Sequence, residues 1–448
     1  MNTKKTINFV TLGCAKNTVY SEYMMGLIAN SNYELVADPA DANVIVVNTC
    51  GFITDAKEET INTILDLNTF KKEGHCDYLI AIGCMVQKYA PEMEEALPEL
   101  DLLLGSTTYD DIVHQIDQLY EGNAEKSLVD TSWHLPGNNE SEQRILSTPS
   151  YYAYLTIAEG CDNHCTYCAI PEMQGPYRSR RMEDILDEAK MLAKQGVHEL
   201  IVIAQDITYY GKDLYDTFAL PKLLHALCEI DGIHWIRLLY AYPNNFTDEL
   251  IDTIANEEKI CKYIDVPLQH ADNGILKAMN RQIDQETIRT LMDKLRKRIP
   301  GMTIRSTFIV GFPGETEEAY NNLLNFLDEV KLDRVGVFPY SQEENTPAGK
   351  MPNQLPEELK EERAQNLMDL QFDIMYENHK KMIGQTRMVV IDDIEENILL
   401  CRSYSEAPDI DPFIIVPFDP SNEQYRIGQE LNVVIEDLHE YDLIGSLV

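Results

Sequence analysis

The amino-acid sequence predicts an α/β protein built from three successive domains. We expect a doubly wound α/β domain over residues 1–120, an incomplete barrel of parallel βα units over 151–382, and a small antiparallel β-barrel over 383–448. Short apolar runs alternate with helical patterns at the start of the chain, and the same alternation restarts in the middle. Short β-rich runs then occupy the C-terminal part, and 448 residues are too many for one ordinary core.

The N-terminal domain is predicted from three repeated units of strand, turn and helix. Residues 6–12, 44–48 and 78–82 have the pattern of buried parallel strands, and a glycine–cysteine or cysteine–glycine pair follows each. A helix reaches about residue 29 after the first strand, and another begins near Thr54. This repetition is typical of a doubly wound fold.

A cysteine stands just past each of these three strands: Cys14, Cys50 and Cys84. Because the carboxyl ends of parallel strands lie along one edge of a sheet, we expect the three thiols to converge. Three small buried cysteines are the alternative, since free cysteine is commonly buried. The same placement in three successive units favours a cluster held by three thiolates.

Residues 121–150 show little periodicity and predict a linker, with its clearest loop at Asn138–Glu142. The strand–helix alternation then resumes, with its clearest helix at 182–195 and a long charged helix from 352 to 381. Six βα units predict a barrel open on one side, because a closed barrel of this kind needs eight. The predicted strands of this domain are 152–157, 200–204, 235–240, 263–266, 303–310 and 334–339.

Three cysteines within eight residues, Cys161, Cys165 and Cys168, follow the first strand of this second domain. Thiolates are the usual ligands of iron–sulfur clusters, and three ligands to four irons leave one iron open to a small molecule. A zinc knot and a purely structural cluster are the alternatives, although structural zinc sites want a fourth ligand that is missing locally. The position predicts a site at the mouth of the barrel.

The charge composition points to a basic protein partner rather than to nucleic acid. The net charge is −38, from 75 acidic and 37 basic residues, and phosphate contacts need Lys and Arg. Residues 384–448 hold 14 acidic and 3 basic residues, around β-rich runs at 387–391, 413–416 and 430–435. An acidic surface that merely keeps the protein dispersed is the alternative.

No apolar run is long enough for a transmembrane helix, and we expect no signal peptide and a cytoplasmic protein without membrane partners. In that compartment, ten cysteines are more readily metal ligands or free thiols than disulfides. Four of them show no ligand spacing and are expected to be free or buried. These are Cys76, Cys228, Cys261 and Cys401.

Four motifs resemble the methylthiotransferase family, and the resemblance extends over essentially the whole chain. They are Thr11–Asn17, Asn48–Ile53, Gly83–Gln87 and Glu159–Cys168. The resemblance implies an N-terminal cluster domain, a radical S-adenosylmethionine (SAM) partial (β/α)6 barrel and a C-terminal TRAM barrel of OB-like form. It also implies two 4Fe–4S clusters. The cluster on the second cysteine set would bind SAM, and the one on the first set would hold the sulfur that is transferred and that a second SAM methylates.

Within the family, Gly13–Asn17 and Thr49–Ile53 resemble the branch that modifies a ribosomal protein. This implies a methylthio group placed on the β-carbon of an aspartate of ribosomal protein S12, free or in the small ribosomal subunit. Such a carbon has no acidic proton, so a radical from a cofactor is needed, with an electron donor such as flavodoxin or ferredoxin. The alternatives are a tRNA adenosine (ms2 type) methylthiotransferase and a non-catalytic iron–sulfur adaptor on the ribosome.

The resemblance also places candidate SAM contacts, and the family would put an aromatic residue near the adenine and an arginine near the SAM carboxylate. Glycines after the fifth strand would let the backbone approach a ligand, although a simple turn is the alternative. Two residues depart from the family pattern: Gln174 replaces a common Arg, and Arg181 replaces a common Pro. The candidate contacts are Tyr167, Ser179, Arg180, Gln205, Gly311 and Gly314.

Overall fold

The computed structural model describes residues 4–135, 144–421 and 425–448. The predicted loop Asn138–Glu142 lies outside the described residues. The described chain forms two six-stranded parallel sheets, a two-stranded antiparallel pair and a closed barrel, which confirms the predicted fold class. No helix in these ranges is long and apolar enough to cross a membrane.

The first sheet is parallel throughout and carries helices between its strands. Its elements are β1 (Thr6–Thr11), α1 (Ala15–Ala29), β2 (Glu34–Leu35), β3 (Val44–Thr49), α2 (Thr54–Glu73), β4 (Tyr78–Gly83), α3 (Cys84–Ala96), β5 (Leu102–Leu104), α4 (Ile112–Glu121) and β6 (Ser127–Leu128). The strand order is β2-β1-β3-β4-β5-β6, a doubly wound arrangement. Three strands have only two or three residues, too few for a recognisable apolar pattern, and β6 falls within the predicted linker.

The second sheet holds six parallel strands in the order β14-β13-β12-β11-β10-β7, open at both edges. Its elements and those packed on it are β7 (Tyr152–Thr156), β8 (Ala158–Glu159), α5 (Ile170–Gln174), β9 (Arg178–Ser179), α6 (Met182–Lys194), β10 (Glu199–Ile203), α7 (Lys212–Tyr215), α8 (Leu220–Cys228), β11 (Trp235–Leu238), α9 (Asp248–Asn256), β12 (Ile260–Asp265), α10 (Asn273–Ala278), α11 (Gln285–Arg298), β13 (Thr303–Val310), α12 (Glu317–Val330), β14 (Arg334–Pro339) and α13 (Glu357–Lys380). The last helix begins later than predicted because Pro356 occupies its N-cap. Single 3-10 turns lie at Pro39–Asp41, Tyr109–Asp111, Ile207–Tyr209, Pro243–Asn245 and Ala348–Lys350.

Alternate residues of these strands have different neighbours. Leu200 and Val202 of β10, like Ile236 and Leu238 of β11, belong to the large apolar core that the helices complete. Ile201 and Ile203 of β10 and Trp235 of β11 belong to a second core with several tyrosines, which also includes residues of the N-terminal domain. Because successive side chains of a strand point to opposite faces, the two cores lie on opposite faces of the sheet.

The C-terminal barrel is closed by five strands in the order β15-β16-β17-β19-β18. The strands are β15 (Thr386–Glu395), β16 (Ile398–Arg402), β17 (Ile414–Pro417), β18 (Glu430–His439) and β19 (Asp442–Leu447). Four of the five pairings are antiparallel, and β17 with β19 is parallel. The apolar runs had predicted three of these strands.

This barrel docks on the second sheet: Arg402 pairs at 2.8 Å with Glu199, the first residue of β10, and the segment 403–413 contacts the neighbouring strands. The Tyr154 hydroxyl donates to the Asp409 carboxylate at 3.1 Å, and Tyr263 donates to Asp411 at 2.7 Å. The guanidinium of Arg237 donates to the carbonyl oxygen of Tyr404 at 2.7 Å. The C-terminal barrel therefore covers the bottom of the partial barrel and leaves the opposite mouth, where the strands end, to other contacts.

Candidate active site

The first cysteine set gathers at the carboxyl edge of the N-terminal sheet. Cys50 and Cys84 directly follow the last residues of β3 and β4, which are partners in the parallel register. Adjacent strands lie about 4.8 Å apart, so these two cysteines start as neighbours. Gly13 has φ +89°, and a Cβ built on it would lie 2.9 Å from the Cys50 sulfur. The chain leading into Cys14 therefore runs against Cys50, and the three thiols are brought together.

Burial and mutual repulsion both disfavour three thiolates at this edge unless a cation lies among them. Burial, followed by the negative charge of Cys14, raises the pKa of Cys84 to about 12. Burial also raises the pKa of Cys50, again with Cys14 contributing. All three are free of disulfides. A group of close thiols whose ionisation needs a positive centre fits the donor set of an iron–sulfur cluster.

The second cysteine set lies in the loop between β8 and α5, at the mouth of the partial barrel. The Cys161 amide donates to the carbonyl oxygen of Gly175 at 3.2 Å, and the Cys168 amide donates to that of Cys165 at 3.0 Å. Burial raises the pKa of Cys168 to about 12, and the charges of Cys165 and Cys161 add to this rise. The three thiols are free and within electrostatic reach of one another, so they also fit a cluster.

Arg281 supplies positive charge beside the second set. Its Nη1 lies 3.9 Å from the Cys165 sulfur, and its guanidinium stands 4.2 Å from the ring centroid of Tyr242. Tyr167 packs against the neighbouring apolar cluster that contains Met279 and Phe312. Burial raises the pKa of Tyr167, so its phenol stays neutral beside the cysteines. Sequence reasoning missed Arg281, because it follows α10, more than 110 residues after the cysteines.

Gln174, the last residue of α5, joins the two cysteine sets. Its Nε2 lies 3.2 Å from the sulfur of Cys84 and donates to it, although Gln174 belongs to the helix that follows Cys168. In the same helix, the carbonyl oxygen of Met173 accepts a hydrogen bond from the Ser106 hydroxyl at 2.9 Å. The carboxyl edge of the N-terminal sheet therefore faces the mouth of the barrel. The sequence marked Gln174 only as a departure from the family pattern.

The mouth contains buried polar atoms without hydrogen-bond partners among the described residues. They include Gln205 Oε1, Glu159 Oε1, Thr156 Oγ1 and Gln269 Oε1. Gln205 donates from Nε2 to Glu159 at 3.2 Å, and Lys16 of the N-terminal domain forms an ion pair with Glu159 at 2.7 Å. Buried acceptors are normally satisfied, so these atoms fit a polar ligand such as the amino and hydroxyl groups of SAM.

The structure gives Arg180 and Ser179 other partners than the predicted SAM carboxylate. Nη1 of Arg180 is 2.7 Å from Glu188 and 2.7 Å from the Thr156 carbonyl oxygen. The Ser179 amide and hydroxyl both donate to the carboxylate of Asp213. These contacts occupy Nη1 of Arg180 and leave its Nε and Nη2 without a hydrogen-bond partner among the described residues, so Arg180 and Ser179 stay predicted SAM contacts. A sequence pattern could not show that Glu188, nearly two turns into α6, pairs with this guanidinium.

The two glycines after β13 form a turn with different surroundings. Gly311 has φ +75°, and a Cβ built on it would collide with the Lys360 side chain of α13. The close contact that this glycine permits is therefore with Lys360. Its amide donates to the Glu315 carboxylate at 2.9 Å. Gly314 has φ +82° and open space around it, and it stays a predicted SAM contact.

Comparisons with known proteins agree with this arrangement. Three family profiles match: the radical SAM superfamily over residues 155–327, the uncharacterized protein family UPF0004 over 6–105, and the TRAM domain over 383–448. The ribosomal protein uS12 methylthiotransferase RimO of Desulforamulus reducens is 47% identical over 99% of both chains. The protein of the same name from Clostridioides difficile is 46% identical over 98% of both.

A solved structure shares the fold at low identity. The radical SAM methyltransferase TsrM from Kitasatospora setae matches with a TM-score of 0.55 and 14% identity, over 78% of this chain and 77% of that one. The matched radical SAM domain and the full-length relatives define a radical SAM transferase, whose class uses SAM and a 4Fe–4S cluster. With full-length relatives at 46% and 47% identity, the chain belongs to the RimO family of methylthiotransferases.

Proposed function

We propose that this chain transfers a methylthio group to the β-carbon of an aspartate of ribosomal protein uS12. The observation that carries the proposal is the pair of three-cysteine sets at one mouth, joined by the contact of Gln174 with Cys84. A radical SAM enzyme that only abstracts hydrogen needs one such set, whereas group transfer needs a second site that holds the group. The uS12 substrate comes from the relatives that share the full length of the chain.

In this proposal each cysteine set holds one 4Fe–4S cluster. The first set, on β1, β3 and β4, holds the cluster that carries the sulfur to be transferred. The second set, between β8 and α5, holds the cluster with an open iron for SAM. When bound, SAM supplies the 5′-deoxyadenosyl radical that an unactivated C–H bond requires. The ligands are Cys14, Cys50, Cys84, Cys161, Cys165 and Cys168.

The remaining residues of the mouth bind SAM and hold the two cysteine sets in position. Gln205 and Glu159 offer their unpartnered oxygens to the polar groups of SAM, and Lys16 fixes the Glu159 carboxylate. Tyr167 and Gly314 complete the SAM pocket from the cysteine loop and the turn after β13. The contacts of Lys16 and Gln174 cross the boundary between the first two domains. They therefore fix the position of one cysteine set relative to the other, and catalysis by proximity needs such fixed positions.

The surface of the C-terminal barrel favours a basic protein substrate over tRNA. Among its described residues, eight carboxylates are exposed against one exposed arginine, Arg426. The exposed carboxylates are Asp393, Glu395, Glu396, Asp409, Asp419, Glu436, Asp437 and Glu440. Such a surface repels phosphates and attracts a lysine- and arginine-rich ribosomal protein. We also propose a small electron carrier such as flavodoxin or ferredoxin as the electron donor.

The test is anaerobic incubation of cluster-loaded enzyme with SAM, a reductant and either uS12 or total tRNA, followed by mass spectrometry. A methylthio mass gain on an aspartate of uS12, with none on tRNA, is the expected result. A gain on tRNA alone would replace the proposal by the tRNA adenosine alternative. Absence of both SAM cleavage and modification would support the non-catalytic adaptor alternative.

A charge-reversal pair tests the docking surface separately. Glu395→Lys with Glu396→Lys should raise KM for uS12 several-fold and flatten its salt dependence, because the carboxylates attract a basic partner. The matched control carries the same change of charge on α3, at the exposed residues Glu94 and Glu95. Equal effects of both pairs would show that overall charge acts, not the barrel surface.

A further inference from the structure

Two histidines and a glutamate meet where the C-terminal barrel docks on the partial barrel, far along the strands from the cysteine mouth. His198 immediately precedes β10, His234 immediately precedes β11, and Glu430 is the first residue of β18. One ligand atom from each lies within 4.8 Å of the other two. The imidazole rings are stacked, with centroids 5.4 Å apart. It is the one such grouping in the described part of the chain.

The backbone holds the two histidines in place. The carbonyl oxygen of His198 accepts hydrogen bonds from the His234 amide at 2.7 Å and from the Trp235 amide at 3.0 Å. These bonds join the starts of two adjacent parallel strands, so the two imidazoles project from neighbouring positions on a rigid backbone. A ligand pair built on strand ends is better ordered than one built on a long loop.

The hydrogen bonding of His198 leaves the correct nitrogen free for a metal. Its Nε2 lies 3.1 Å from the carbonyl oxygen of Gly428, so Nε2 carries the proton and donates it there. Nδ1 then keeps its lone pair and faces the Glu430 carboxylate at 3.8 Å. Metal-binding histidines commonly donate their second N–H to a carbonyl in this way, which fixes the tautomer. Gly428 packs closely against the Tyr151 side chain, since a Cβ built on this glycine would lie 2.8 Å from it.

Access also suits a cation. Glu430 Oε1 lies 2.6 Å from His234 Nδ1, and the side chains of His234 and Glu430 are 52% and 31% exposed. The carboxylate and the second imidazole are therefore open to solvent and free to separate by the fraction of an ångström that an inserted ion requires.

We propose that His198, His234 and Glu430 form a site for a divalent transition metal, with Zn²⁺ as its best match, that fastens the C-terminal barrel to the partial barrel. Two imidazoles and one carboxylate are a zinc donor set, with water in the fourth position. The histidines belong to the second sheet and the glutamate to the barrel, so a bound ion crosses their junction. The alternative is a plain His234–Glu430 ion pair that binds no metal.

The test uses cluster-loaded enzyme, so that the six cluster cysteines do not compete, after removal of loosely bound metal. Zn²⁺ is titrated in competition with a chromophoric chelator, and Co²⁺ is added in parallel to read coordination from its visible absorption. We expect one Zn²⁺ site beyond the clusters in the wild-type chain. His234→Ala and Glu430→Gln should each weaken it at least tenfold, because even outer partners of metal ligands cost 10–100-fold.

His225→Ala is the matched control. His225 Nδ1 lies 2.6 Å from Glu257 Oε1, the same kind of pair, but it has no third ligand in the described chain. This variant should keep the wild-type affinity, and Zn²⁺ should raise the melting temperature of the wild type and of His225→Ala only. Absence of a site in the wild type, or equal binding by His234→Ala, would overturn the proposal and leave the ion pair as the function of these residues.

Discussion

The Glu199→Gln substitution tests whether the C-terminal barrel is fixed to the partial barrel. Glu199 is fully buried, accepts from Arg402 at 2.8 Å and from Arg237 at 2.7 Å, and so connects the second sheet to the barrel. Burial alone would raise the pKa of Glu199, but the two guanidiniums outweigh it and lower this pKa from 4.5 to about 2. The glutamine has nearly the shape of the protonated acid and lacks the charge.

The expected cost follows from the pKa of Glu199. A fall of one pKa unit is worth about 1.4 kcal/mol, so the shift corresponds to roughly 3 kcal/mol of stabilisation by the ionised carboxylate. This agrees with the 3–5 kcal/mol that removal of one partner of a buried ion pair typically costs. Since the pKa is lowered on folding, the stabilisation is complete above about pH 4.5 and is lost progressively as the pH falls towards 2.

Hydrogen exchange is the suitable assay, because unfolding of a multidomain cluster protein is not a two-state transition. In Glu199→Gln, the protected amides of β15 and β18 should exchange roughly a hundredfold faster at pH 7 than in the wild type. Asp252→Asn is the control, since it breaks a mostly exposed pair with Arg298 and should change exchange little. Less than a threefold change in Glu199→Gln would refute the reasoning that this ion pair holds the junction.

Three further predictions concern the mouth. Cys14→Ala should leave SAM cleavage intact and abolish thiolation, seen as 5′-deoxyadenosine without a modified product; thiolation at the wild-type rate would contradict the role of the first cysteine set. Arg281→Met should make the midpoint potential of the radical SAM cluster more negative, because a cation beside Cys165 is lost, and an EPR-monitored redox titration that shows no shift would contradict this. Gln174→Ala should slow thiolation about tenfold while SAM cleavage persists, and Gln174→Glu should slow it further, because a carboxylate repels the Cys84 sulfur; equal rates for both variants and the wild type would argue against that contact.

The strand ends allowed the sequence to predict much of the site. Cys14, Cys50 and Cys84 are 36 and 34 residues apart, yet the rule that parallel strands end at one edge sufficed to bring them together. The partial barrel was predictable for the same reason, since its buried strands are long enough to show an apolar pattern. Strands of two or three residues gave no such signal.

Contacts between domains were beyond the sequence. The bond from Gln174 to Cys84 joins residues 90 positions apart, and the docking of 403–413 on the second sheet joins still more distant ones. The hydrophobic periodicity of a sequence does not show which polar side chains form contacts across a domain boundary. Arg180 shows the same limit: its motif position predicts a ligand contact, whereas its ion pair with the buried Glu188 could be seen only in the structure.

The central claim is that two cysteine sets hold two clusters at one mouth. Mössbauer spectroscopy with iron and sulfide analysis on reconstituted protein tests it most directly, in the wild type and in two triple Cys→Ala variants. The variants remove Cys14, Cys50 and Cys84, or Cys161, Cys165 and Cys168. The account predicts that each variant keeps about half the iron of the wild type as one intact 4Fe–4S cluster. Wild-type iron content in the first variant would contradict it.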